Sequence, residues 1–136
     1  VCVPGADLAR ATDVAIEVIP GPEVVAGSTR LKAGTVQKLV LNMLSTGVFA
    51  RLGHVYRGRM VDVTPQNEKL RRRARRTIAD LTRAGPADIE RALEESGGSV
   101  KLAILMLEAG LSAEAARTRL TTVGGDLALA LEDLGR

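Results

Sequence analysis

Apolar positions change their spacing several times along this chain, and each change marks an element. Val1 to Val3 reads as a short strand ended by Pro4-Gly5, and Asp7 to Ala11 as a turn or short helix. In "DVAIEVI", Asp13 to Ile19, apolar residues at 14, 16 and 18 are joined by more at 15 and 19. That pattern predicts a strand buried on both faces, as in a parallel sheet covered by helices, and Pro20-Gly21-Pro22 stops it. From Thr29 to Leu52 the period becomes helical. At about 100° per residue, Thr35, Lys38, Asn42, Ser45 and Thr46 share one sector, while the other positions are mostly Val, Leu, Met and Ala. A helix apolar nearly all round is expected to be buried, its polar stripe facing a site, a partner subunit or internal hydrogen bonds. Gly53 stands at its expected C-terminal end.

"HVYRGRMVDV" reads as extended. "TPQNEKL" opens another helix, with Thr64 as the expected cap and Pro65 in the first turn; it carries "KLRRRARRTIADL" and ends near "RAGP". Beyond it the chain repeats itself. "ALEESGGSVKLAILML" from Ala92 matches "RLTTVGGDLALALEDL" from Arg119 at a fixed offset of 27. Leu93 falls on Leu120, Gly97-Gly98 on Gly124-Gly125, Val100 on Leu127 and Ala103-Ile104 on Ala130-Leu131. Each unit predicts a helix, a Gly-Gly corner and a second helix, with Ala allowing close packing. Two copies are too few for a solenoid, so a compact module of three or four helices is expected, beginning between Ala84 and Ala87.

Composition narrows the classes. The chain has 136 residues, room for one ordinary domain or part of one plus a small satellite. With one Tyr, one Phe and no Trp, the core must be built from aliphatic residues and Met. The net charge of +3 is too small to imply a polyanionic partner. Cys2 and His54 are the only residues of their kinds, which argues against a disulfide framework and a thiolate or multi-histidine metal site, and makes a reducing cytoplasm the expected compartment. No metal or cofactor is expected. There is no run of about 18 apolar residues and no basic-then-apolar leader, so no membrane partner is expected. The chain opens on the apolar "VCVP" without Met, which reads as a strand entered partway and suggests the C-terminal part of something longer.

The densest chemistry lies in "GPEVVAGSTRLKAGTVQKLVLN", Gly21 to Asn42. A glycine-bearing turn from strand to helix exposes backbone N–H groups at the positive end of the helix dipole. Ser28 and Thr29 add hydroxyls there, and Arg30 and Lys32 add charge. Glu23 does not suit a pure anion site. It is either an acceptor or proton-transfer group beside sugar hydroxyls, or a helix cap. The residues alone leave ligand binding and a purely structural corner both open, and the spacing matches neither the P-loop nor the dinucleotide fingerprint.

The string GPE-x-x-x-GSTR-x-KAGT-x-x-K-x-x-x-N, continued by "MVDV" and "NEKLRRRA", resembles the N-acetylmuramic acid 6-phosphate etherases and the related animal glucokinase regulatory proteins. The resemblance extends over nearly the whole chain, including the Gly-Gly helical tail. It implies an α/β fold: the C-terminal part of a sugar isomerase (SIS) type three-layer parallel-sheet domain, residues 1–84, followed by a small helical module, residues 85–136. It further implies a phosphorylated amino sugar as partner, a homodimer, and a lyase reaction in which elimination of D-lactate is followed by hydration at C3. Paired carboxylates suit those proton transfers. In the family the glycine- and serine-rich phosphate loop and the glutamates credited with acid–base work lie upstream of the matching part. Transferable motif positions are therefore Glu23, Ser28, Thr29, Arg30, Lys32, Thr35, Lys38 and Asn42 as substrate-binding residues, with no catalytic residue beyond Glu23 as a candidate. Ala26 stands where the family usually has Thr, and "YRGRMVD" departs from its usual Asn-bearing turn. The relatives leave a second reading, a non-catalytic phosphosugar sensor.

Other features have blander readings. The run Lys69, Arg71, Arg72, Arg73, Arg75 and Arg76 lacks aromatics for stacking, so a solvated or subunit-contact face is expected rather than a nucleic-acid grip. His54 is expected to cap the helix that Gly53 ends, and Cys2 to pack in the interior. The tail's "AL-x-x-x-GG-x-V-x-x-AI" spacing is similar to ubiquitin-associated three-helix modules, read here as a packing or dimer element.

Overall fold

The computed structural model describes residues 1–132. It is mostly helical, with a single two-stranded sheet among the described residues, which is compatible with part of an α/β domain. Two compact units, Val1–Val48 and Phe49–Arg136, divide it. The stretch from 49 to 84 packs with the repeated helices in the second of these units.

In the first unit, helix α1 (Asp7–Arg10) and the start of helix α2 (Lys32–Arg51) frame an irregular segment. The two expected strands are reduced to one parallel bridge, Cys2 to Glu17. It is held by the Cys2 N–H on the Ile16 carbonyl at 3.1 Å and the Val18 N–H on the Cys2 carbonyl at 2.9 Å. The parallel sense agrees with the expectation, but burial on both faces does not: Val14 is 80% and Ile19 76% exposed. Cys2 is half-buried rather than interior. The long helix forms as expected from its Ala, Leu and Met content, yet Val40 is its only buried residue. Leu39, Leu41, Met43, Leu44 and Val48 are all exposed, because no layer of described residues covers them.

The second unit opens with the end of α2. Gly53, at φ 72°, takes the left-handed conformation that closes a helix, and the Gly53 and His54 N–H groups return to the Ala50 and Phe49 carbonyls. Strands β1 (Val55–Tyr56) and β2 (Arg59–Met60) then form a tight antiparallel hairpin, Val55 opposite Met60 and Tyr56 opposite Arg59. Its two central residues, Arg57 and Gly58, both have positive φ, as a type I′ turn requires. Helix α3 (Glu68–Leu81) is capped by Asn67, whose side chain accepts the Leu70 N–H at 2.9 Å. The expected cap, Thr64, lies too early; Asn67 ranks higher as a cap and sits directly before the helix.

The repeat is structural. Helices α4 (Pro86–Glu95) and α6 (Ala113–Thr122) start and end at positions 27 apart, as do the starts of α5 (Val100–Ala109) and α7 (Leu127–Glu132). Gly97 and Gly98 have φ of 67° and 84°, and Gly124 and Gly125 have 66° and 81°. The second glycine of each corner donates 2.7 Å back to the helix, Gly98 to the Leu93 carbonyl and Gly125 to Leu120. The caps repeat too: the Ser99 hydroxyl accepts from the Leu102 N–H and the Asp126 carboxylate from Ala128. α5 is the central helix, buried from Val100 through Met106 and packed on α3, α4, α6 and α7. Residues 133–136, the end of the expected module, lie outside the described residues.

Candidate functional site

The glycine-punctuated loop before α2 folds back on the helix start. Gly21 and Gly27, at φ 77° and 82°, turn it where a side chain would be strained. The turn brings Glu23 over the first helical residues, where one carboxylate oxygen accepts the Lys32 N–H at 2.9 Å and the other the Ala33 N–H at 3.0 Å. These bonds, Ala33's foremost and Lys32's next, hold the Glu23 carboxyl below its ordinary range, with help from the Lys32 charge. The next two amides are satisfied as well, Gly34 by the Thr29 carbonyl at 2.8 Å and Thr35 by Leu31 at 3.1 Å. A free helix start attracts anions through its unbonded N–H groups. Here the chain's own acceptors occupy all four amides, so those groups are not open to a phosphate. Of the two roles left open for Glu23, the geometry is that of a cap.

The other candidates divide by what their side chains already do. The Lys32 ammonium donates to the Pro22 carbonyl at 2.7 Å, pinning the loop, and the Thr35 hydroxyl donates to Leu31 at 2.6 Å. Side chains of Ser28, Thr29, Arg30, Lys38 and Asn42 make no hydrogen bond or ion pair with any described residue. Ser28, Thr29 and Arg30 follow one another at the helix entrance, whereas Lys38 and Asn42 stand about two and three turns into α2. A cavity of about 200 Å³ opens beside this entrance, lined by Thr29, Ala33, Gly34 and Gln37 together with Cys2 and Val18. Thr29 is the only candidate residue that lines it. The arrangement offers hydroxyls and a guanidinium for binding a polar ligand. Among the candidates it offers one carboxylate, already engaged and ionised at neutral pH.

A polar cluster in the second unit escaped the sequence reading. The His54 Nδ1 lies 2.8 Å from the Asp62 carboxylate, and the Lys101 ammonium lies 3.4 Å from the same oxygen. Lys101, 7% exposed, also donates to the Gly125 carbonyl at 2.8 Å, tying α5 to the second glycine corner. His54 therefore caps α2 through its backbone only; its side chain serves Asp62. The available clue was Lys101 itself, a single cation within "VKLAILML" that needs a buried acceptor. In the basic run, Arg75 bridges Glu90 and Glu68, which raise its pKa further. No group of His, Cys, Asp or Glu suited to a metal exists among the described residues, and no described helix is long and apolar enough to cross a membrane.

No family model matches the chain. Individual proteins do. A protein named N-acetylmuramic acid 6-phosphate etherase from Mycolicibacterium smegmatis is 51% identical over 130 residues, which is 96% of this chain and 44% of that protein. Etherases so named from Streptomyces coelicolor and Symbiobacterium thermophilum are 54% and 57% identical over 91% and 79% of this chain, and over 40% and 36% of their own lengths. The chain thus spans about two-fifths of the length of the curated relatives it matches. By sequence this chain is a relative of the N-acetylmuramic acid 6-phosphate etherases, matching the C-terminal part of their length.

Proposed function

We propose that the chain serves an N-acetylmuramic acid 6-phosphate etherase, a lyase that removes D-lactate from the sugar's 3-ether and leaves N-acetylglucosamine 6-phosphate. The observation that carries this is identity near one-half over almost the entire chain to proteins of that name. In the reaction a base takes the C2 proton of the opened sugar, an acid assists departure of lactate, and water adds at C3. Two proton-transfer groups are needed. Because both Glu23 oxygens already accept amide N–H groups, which keeps it from serving as an acid and weakens it as a base, the acid and base are assigned to the remaining three-fifths of the relatives' length. This chain contributes positioning: Ser28, Thr29 and Arg30 bind the sugar phosphate, and Glu23 and Lys32 fix the loop that presents them.

The architecture proposed with it is the end of a SIS-type domain followed by a ubiquitin-associated-like helical module, in a cytoplasmic homodimer. Its support is the apolar surface of α2, which exposes more large aliphatic side chains than a monomer of this size ordinarily leaves to water. The test is Arg30→Ala in the sequence extended to the relatives' length. Loss of a charge-assisted bond to substrate lowers kcat/KM about tenfold or more. An unchanged kcat/KM removes Arg30 from the site. Tight sugar-phosphate binding without turnover by the unsubstituted protein favours the sensor reading.

A further inference from the structure

Two cavities adjoin on the second unit where the β1–β2 hairpin meets α3. The first, about 190 Å³, is apolar and lined by Met60, Val63, Leu70, Ala74 and Val100. The second, about 310 Å³, is lined by Gly58, Arg59 and Arg76. Met60, Arg73 and Thr77 line both, so an apolar chamber shares a wall with a cationic one.

Three further facts single out the groups on the cationic side that remain available to a ligand. Arg59 is paired with Asp80 at 2.8 Å, and Arg75 and Arg71 lie against Glu68 or Glu90. Arg73 and Arg76 have no carboxylate at ion-pair distance among the described residues. They stand three positions apart, on neighbouring places of one helix surface. Finally, Thr77 is only 7% exposed, yet its hydroxyl has no hydrogen-bond partner among the described residues. Thr82, Thr118, Thr121 and Thr122 all donate to the carbonyl four residues back. The Thr77 hydroxyl is thus left to face the two cavities it lines, where a ligand oxygen can accept from it.

We infer that this double cavity is a binding site for a small amphiphilic anion: a phosphate monoester held by Arg73, Arg76 and the Thr77 hydroxyl, with a short apolar group in the chamber under Met60 and Val63. None of its lining residues belongs to the α2 entrance, and the inference does not depend on the etherase reading. Guanidinium pairs suit phosphate oxygens, and the chamber removes the apolar group from water.

The probe is butyl phosphate, titrated into the full 136-residue chain and followed by amide chemical shifts. Saturable shifts are expected at Met60, Arg73 and Thr77, with inorganic phosphate weaker by about tenfold or more through loss of the apolar contact. Arg73→Gln is expected to weaken butyl phosphate by about tenfold. Arg72→Gln, on the same helix but lining neither cavity, leaves it unchanged. The inference is overturned by the absence of saturable shifts, by shifts confined to α2, or by equal losses in the Arg72 and Arg73 variants, which would indicate general attraction to a basic helix.

Discussion

Glu23 is a loop residue whose two carboxylate oxygens serve two different amides, and this geometry makes its removal visible at single positions. Glu23→Gln keeps one acceptor but turns an NH2 toward the other N–H. Faster amide exchange is therefore expected at Lys32 or Ala33, with the middle of α2 unaffected; uniform protection would contradict the cap. The pH dependence has a definite sign. The folded-state pKa lies below the ordinary value of 4.5, so the cap is fully present above that value and is lost as pH falls through the lowered one. Protection at Lys32 and Ala33 is thus expected to fade only below the ordinary carboxylate range. Arg57 tells the opposite story. At φ 45° it sits in the left-handed region, where Asn is at ease and Arg is not. Arg57→Asn is expected to stabilise the second unit by about 1 kcal/mol, read as a raised unfolding midpoint. A lowered midpoint would mean that the Arg57 guanidinium, 5.1 Å from the Tyr56 ring centre, contributes more than the backbone costs.

Among the elements, the glycines separate two kinds of constraint. A side chain at Gly98 would meet only the Thr64 methyl at 3.6 Å, an ordinary contact, so Gly98→Ala bears mainly the cost of its left-handed backbone. That is about 1–2 kcal/mol. A Cβ at Gly53 would lie 2.8 Å from the Asp126 Cα, against backbone that cannot swing away. Gly53→Ala is therefore expected to destabilise the second unit more than Gly98→Ala in the same denaturant series; equal losses would contradict the close approach. The repeat was legible because its offset, its glycine pairs and its capping residues all recur locally. The extent of α2 was legible from periodicity, with Gly53 as its stop. Its exposure was not, since periodicity reports which faces are apolar and not whether anything covers them. The same limit applies to "DVAIEVI", apolar on both faces but bridged only at Glu17. In the candidate site, the motif string marked a loop that does fold back on the start of α2. The role of Glu23 and the His54–Asp62–Lys101 cluster depend on turns and long-range approaches that no local pattern encodes.

For the whole molecule, the proposed function is a division of labour, in which this chain would position a sugar phosphate and the rest of the relatives' length would supply proton transfer. The polar stripe of α2 enters here. Lys38→Leu in the extended protein is expected to weaken substrate use or subunit association by more than about 1 kcal/mol, and unchanged kinetics and sedimentation would make the stripe mere tolerated polarity. The most direct measurement is coupled detection of D-lactate from N-acetylmuramic acid 6-phosphate, run side by side on the 136-residue chain and on the sequence extended to the relatives' length. The extended protein is expected to release D-lactate and the chain alone none, because binding groups without an acid–base pair cannot carry elimination and hydration. Release by the chain alone at a rate near that of the extended protein would contradict the account, placing the catalytic groups among the residues described here.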